Sequence, residues 1–227
     1  MDWRELPIHI IDFEGSRRSG IVEYGVVTLK DAAITTTHTR LCRPVGAIGS
    51  EEQRLHKIRR KDACEMAPFH DEWTFFCELR RTGPLGAHYA SVEHGLLKAV
   101  WPHPTPCLDF LNPPMQMAEW GPWVDTCRLF EETFPSLPTY KLGRLIDHFG
   151  LRRKLNNLAE QHCPIERRHA HAALYDALAA ALLLLYLGQQ EAFEAMSLNW
   201  LLSRSTSCNA RRQALVQKDW FGIWKDL

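Results

Sequence analysis

The rhythm of apolar and polar positions shifts along the chain, and each shift marks a change of element. "IHIIDFEGS", from Ile8, opens with β-branched and aromatic residues and runs into the turn "GSRRSG". It predicts a buried strand. "IVEYGVVTL" and "AAITTTHTRLCRP" repeat that composition, separated by turns of glycine and charged residues, so three antiparallel strands in a meander are expected. From about Ser50 the period becomes helical. "SEEQRLHKI" offers serine as an N-cap with acids in the first turn, and "HDEWTFFCELRR" sets Trp73, Phe76, Cys77 and Arg80 at helical spacing. "GPLGAHYA" reads as a short strand and turn, and "SVEHGLLKAVWP" as a helix stopped by Pro102. Residues 102–122 hold six of the thirteen prolines and read as a loop. "WVDTCRLFEETFP" is a strand running into a helix, "TYKLGRLIDHFGL" a helix, and a very apolar helix covers roughly 171–187. A β meander followed by mixed strands and helices predicts an α/β or α+β sheet covered by helices.

Composition narrows the class. The 227 residues are 45% apolar and 24% charged, with a formal net charge of zero. No global basic field exists, so any contact with nucleic acid must come from local patches. Arg17-Arg18, Arg59-Arg60-Lys61, Arg152-Arg153-Lys154 and Arg167-Arg168 are short basic runs, read singly as solvated surface charge. The seven cysteines are odd in number, irregularly spaced and without a CxxC pair. Reduced thiols in a cytoplasmic protein are the expectation, not a disulfide framework or a cysteine zinc site. "MDWRELPIH" does not read as a signal peptide. The unbroken apolar run Ala177–Leu187 has 11 residues, far short of the ~20 that span a bilayer, so it predicts a buried helix and no membrane.

Three places carry candidate chemistry. Asp12 and Glu14 flank Phe13, so alternation puts both carboxylates on one strand face and Phe13 on the other. Adjacent carboxylates repel unless a cation intervenes, and hard oxygen donors suit magnesium or manganese. Glu93 begins an apolar stripe continued by Leu96, Leu97 and Val100; alone, it also suits the positive end of a helix dipole. Asp176 sits among Ala172, Ala173, Ala179 and Ala180 in the most apolar helix, with His171 five residues before it. An unpaired carboxylate there is costly, which points it at a polar site. Asp125-Thr126 marks a strand-to-helix turn and reads as scaffold.

Together these motifs resemble the DnaQ-like 3′–5′ exonucleases of the DEDD group, histidine subclass (DEDDh), which have a ribonuclease H-like fold. The family's acid-x-Glu on the first strand is matched by Asp12 and Glu14. Its A-H-N-A-x-F-D turn-into-helix motif is matched by "AHYASVE", with Glu93 in the acid position. Its H-x4-D motif is matched by His171 and Asp176; His169 is out of register. The resemblance covers about residues 7–188 in the family's order. The chain departs from it at Glu93, where aspartate is usual, at Tyr89 within "HYA", at Gly15-Ser16, where threonines are common, and at His56-Lys57-Ile58 in place of histidine-glycine-isoleucine.

The resemblance implies a mixed five-stranded sheet, antiparallel meander plus parallel strands, in an exonuclease domain over 1–190, with a helical extension over 191–227. It implies two divalent ions, Mg2+ or Mn2+, on Asp12, Glu14, Asp176 and Glu93, and His171 as general base, a task suited to an imidazole near neutral pH. The expected reaction removes nucleoside 5′-monophosphates from the 3′ end of single-stranded or 3′-ended DNA or RNA, DNA favoured. Gly15, Ser16, Arg17 and Tyr89 are candidate substrate contacts by position, although core packing is the commoner role for an aromatic such as Tyr89. Glu93 leaves open a second reading, a nucleic-acid-binding module of the same fold with weakened catalysis. The extension, with Trp200, Trp220 and Trp224, offers a polymerase-docking surface or, as favoured here, packs on its own domain.

Overall fold

Alternation along β1 (Ile8–Ser16) sends its side chains into two separate cores. Ile8 and Ile10 join Val27 and Leu29 on one face of the sheet, while Ile11 and Phe13 join Tyr24 and Val26 on the other. The computed structural model describes residues 1–112, 114–193 and 196–223. β1 is followed by β2 (Gly20–Lys30), β3 (Ala33–Leu41), α1 (Ser50–His56), α2 (Arg60–Ala63) and α3 (Trp73–Thr82). Then come β4 (Leu85–Ala87), α4 (Ala90–Val100), β5 (Cys107–Leu108), β6 (Gln116–Met117) and β7 (Trp123–Asp125). Among the described residues six further α-helices follow: α5 (Thr126–Thr133), α6 (Leu142–His148), α7 (Arg152–His162), α8 (Ala173–Gly188), α9 (Leu198–Ser205) and α10 (Asn209–Ile223).

The main sheet has five strands in the order β3-β2-β1-β4-β7. The β1–β2–β3 pairs are antiparallel, as the meander pattern predicts, and β1–β4 and β4–β7 are parallel. This is the α/β, ribonuclease H-like arrangement expected. The first core lies under α8, nearly all of which is buried, with α5, α6, α7 and α9 around it. The second lies under α3 and α4, where Phe69, Phe76, Trp101 and Trp120 pack with ring centroids about 5–6 Å apart. No described helix is long and apolar enough to cross a membrane. The seven cysteines are all free.

Several expectations are corrected. The N-cap of α1 is Gly49, whose extended backbone opens the helix and whose N–H donates to Glu52 Oε2 at 2.8 Å; Ser50 is already helical. The proline-rich stretch 102–122 contains the ribbon β5–β6. Arg80, wholly buried, pins it by donating to the carbonyls of Thr105, Met117 and Glu119. The apolar helix begins at Ala173, because His171 has a φ of 61° and cannot lie within it. In the C-terminal region, Met196, Leu198, Leu201, Leu202 and Leu215 enter the same core as α8, and Trp200 is half-buried against it. The side chain of Trp220, and Trp224 entirely, lie outside the described residues.

Candidate active site

Ile8, Ile10, Asp12 and Glu14 form one row on the α8 side of the sheet. The row turns from apolar to acidic where β1 passes the end of β4, which pairs only with His9 and Ile10. Directly across on β2, Asp12 faces Gly25 and Glu14 faces Glu23. Gly25 decides how closely α8 approaches. A Cβ there would lie 2.3–2.4 Å from the backbone of Ala173 and Leu174, so only glycine lets the first turn of the helix rest on the strand. That contact delivers Asp176 to the acidic row.

The start of α8 is capped from a distance. Ala172, at the N-cap, has no side chain able to accept a hydrogen bond, and Glu23 Oε2 accepts from the Ala173 N–H at 2.9 Å instead. Asp176 Oδ2 accepts from the His171 N–H at 2.9 Å, which closes the turn carrying the histidine. A carboxylate oxygen of Glu14, a ring nitrogen of His171 and a carboxylate oxygen of Asp176 lie within 4.8 Å of one another, with the His171 side chain exposed.

Glu93 arrives from the other side. Asp125, at the end of β7, accepts from the N–H groups of Tyr89 and Ala90 and from those of Cys127 and Arg128, so one carboxylate starts both α4 and α5. His88 is clamped between the Thr126 hydroxyl and the Tyr140 carbonyl, and burial lowers its pKa to about 4. This frame holds Glu93, itself buried, so that Oε2 accepts from the Phe13 N–H at 3.0 Å. That N–H lies beyond the β4 pairing. The extra methylene of glutamate relative to aspartate supplies the reach.

The charges are unresolved by protein alone. Among the described residues, no donor hydrogen-bonds the carboxylates of Asp12 or Glu14. Burial, reinforced by Glu93, Asp176 and Glu14, raises Asp12 well above the ordinary carboxylate range. Burial with Asp176 and Glu23 nearby raises Glu14 to about 8; burial raises Glu93 to about 8 and Asp176 to about 6. Clustered hard oxygen donors, one histidine beside them and unrelieved repulsion fit divalent cations of the magnesium class. Asp12, Glu14 and Asp176 open onto a cavity of about 660 Å³, lined also by Tyr89, His171, Lys141, Arg144 and Arg152; Glu93 is not part of that lining.

The candidate substrate residues divide. Tyr89 is 45% exposed at this cavity, so the expectation that it packs in the core is overturned: its φ of 66° turns the side chain outward at the start of α4. Gly15 (φ 130°) follows the register shift near the end of the β1–β2 pairing, where a Cβ would collide with the Gly20 carbonyl. Ser16 ties the turn through Ser19. Arg17 lines a different, smaller hollow with Arg43, Val45 and His70. None of these three lines the acidic cavity. Two residues escape the sequence reading. Glu23 is a nearly buried acid within an apolar strand, in step with the face of Asp12 and Glu14, and that parity was its signal. Arg167, read as solvated charge, is 12% exposed and forms a two-pronged ion pair with Glu23.

No family model matches the chain, and no curated protein matches it. Solved structures do resemble it. Exonuclease X in complex with 5′ overhanging duplex DNA aligns at a TM-score of 0.60, with 23% identity over 88% of this chain and 99% of that one. The nuclease domain of 3′hExo, a DEDDh family member bound to rAMP, aligns at 0.57, with 17% identity over 83% and 94%. E. coli exonuclease I in complex with a dT13 oligonucleotide aligns at 0.56, with 10% identity over 82% of this chain and 42% of that one. The chain has the fold of these exonucleases.

Proposed function

We propose that this protein is a DEDDh-type 3′–5′ exonuclease that hydrolyses the terminal phosphodiester of DNA in preference to RNA and releases nucleoside 5′-monophosphates. One observation carries the reading: Asp12, Glu14 and Asp176, from two elements, line one cavity with His171, and the buried Glu93 adds its charge to that of Asp12. Asp12, Glu14 and Asp176, with Glu93 beside Asp12, would hold two divalent ions, Mg2+ or Mn2+. When bound, such ions sharpen a water as nucleophile and stabilise the leaving 3′ oxygen.

The chain's own residues supply the rest. The exposed His171 imidazole takes the proton of the attacking water and is within reach of solvent to release it. Tyr89 presents its ring to the terminal base, where stacking is worth about 1–3 kcal/mol. Lys141 and Arg144, across the cavity, meet the phosphates. The complexes of Exonuclease X with duplex DNA and of 3′hExo with rAMP support a nucleic-acid substrate. Residues 1–190 form the hydrolytic unit and 191–227 its extension. The half-buried Trp200, whose ring lies 5.6 Å from that of Phe193, favours packing over polymerase docking. The free cysteines suit a cytoplasmic setting.

A second reading, binding with weakened hydrolysis, draws on Glu93, which has one oxygen engaged by Phe13. A single assay separates the two. 5′-labelled single- and double-stranded DNA and RNA are incubated with Mg2+, Mn2+ or EDTA, beside an Asp12→Ala control. A ladder shortening from the 3′ end that needs both metal and Asp12 supports hydrolysis. Tight binding without cleavage under every metal supports the module.

A further inference from the structure

We infer that Arg167 is a positioning residue that fixes the His171 imidazole, an inference that rests on the exonuclease reading above. The His171 side chain is exposed, and the alanines at 170 and 172 offer it little to pack against. Its place must therefore come from its backbone, which has a φ of 61°. A β-carbon residue stays in that region only where its surroundings over-determine it.

Two anchors do so. The His171 N–H is held by Asp176, whose carboxylate also belongs to the acidic cluster proposed to hold cations. The His171 carbonyl is held by Arg167 Nη2 at 3.3 Å, an anchor that hydrogen-bonds none of the cluster's carboxylates, although its charge also acts on Glu14. Arg167 is itself immobilised. Its guanidinium meets both oxygens of Glu23 and donates through Nη1 to the His56 carbonyl at 2.5 Å. Glu23 is in turn fixed on β2 and tied to the Ala173 N–H. A rigid path thus runs from the central sheet, through Glu23 and Arg167, to the backbone of the proposed base. A planar five-donor guanidinium is suited to serve three acceptors at once; a lysine ammonium holds the charge but not the fork.

The test compares wild type with Arg167→Lys and Arg167→Ala. Arg167→Lys keeps a cation beside Glu23, and its melting temperature is read first to establish folding. The expected result is a kcat lowered about 10- to 100-fold, the usual range for residues that orient a metal-site side chain. KM and calorimetric Mn2+ affinity stay within about twofold, and methylguanidinium partly restores kcat to Arg167→Ala. An Arg167→Lys enzyme with wild-type kcat overturns the inference, as does a kcat loss matched by an equal loss of Mn2+ affinity. The ¹³C and ¹⁵N signals of the His171 ring give a readout that needs no turnover. One sharp set in wild type that broadens in Arg167→Lys supports the inference, and unchanged signals overturn it. Absence of nuclease activity in wild type defeats the exonuclease reading alone, since the ring signals still decide the positioning role.

Discussion

Glu14 and Glu23 face each other across β1 and β2, yet their charges are balanced by different means. Glu23 has a fixed partner: Arg167 grips both of its oxygens, and the Ala173 N–H adds a third bond. Glu14 has none among the described residues, and with Asp12, Glu93 and Asp176 it forms a cluster whose protons are held by burial and mutual repulsion. One acid of the facing pair is therefore structural and closed, and the other is the one that would meet an exchangeable cation in the proposed exonuclease. Two carboxylates of the same type on one strand pair differ because the Arg167 guanidinium hydrogen-bonds Glu23 and acts on Glu14 only through its charge.

The comparison can be broken in order of expected effect. Asp12→Ala, on the open side, should abolish metal-dependent shortening of labelled DNA on gels while leaving the melting temperature unchanged or higher. Glu23→Ala, on the closed side, should do the reverse first. It strands a buried guanidinium, which costs about 3–5 kcal/mol and is read by urea unfolding; Glu14→Gln should raise metal-free stability instead. A pH series sharpens the same contrast. Glu14 and Glu93 lie at about 8 and Asp176 at about 6, all above their ordinary values. At the cluster, the folded, metal-free protein thus binds more protons than the unfolded chain between about pH 4 and 8. The cluster's contribution to stability falls as pH rises through that window, while His9 and His88, lowered by burial to about 4, act in the opposite direction below about pH 6.5. Cation binding displaces those protons, so the gap in melting temperature between Mn2+ and EDTA should widen from pH 5 to pH 8; a gap independent of pH would contradict the open cluster. The smallest effect is expected at Glu93→Asp, which shortens the arm that accepts from Phe13. It should cost about 1 kcal/mol of stability, whereas Glu93→Gln keeps the bond, removes the charge and should be neutral or stabilising without metal.

Alternation made the acidic row legible: the parity of Asp12 and Glu14 against Phe13 follows from strand geometry alone, and Phe13 does lie in the opposite core. The meander and the buried helix were legible for the same reason, since periodicity reports which face is covered. What was not legible depends on partners distant in sequence. The doublet Arg167-Arg168 looks like any surface run, and only the fold brings its first member onto Glu23, 144 residues earlier. Gly25 reads as a weak point in a strand until α8 is seen resting on it. Tyr89 was hidden by a backbone angle that composition does not announce. The cap of α1 shifted by one residue because Gly49 competes with Ser50 for the same extended position.

The ties from Glu23 to Arg167 and to Ala173 close loops of 144 and 150 residues. Loops of that length set the order in which the molecule assembles, because local pairings form before distant ones. On a ribosome adding about 5–20 residues per second, the meander emerges ~6–25 s before its counter-charge exists. For that interval Asp12, Glu14 and Glu23 stand together on a nascent hairpin without Arg167. Until Arg167 and α8 arrive, mutual repulsion disfavours burying that face, so the acidic row would discourage premature closure of the sheet.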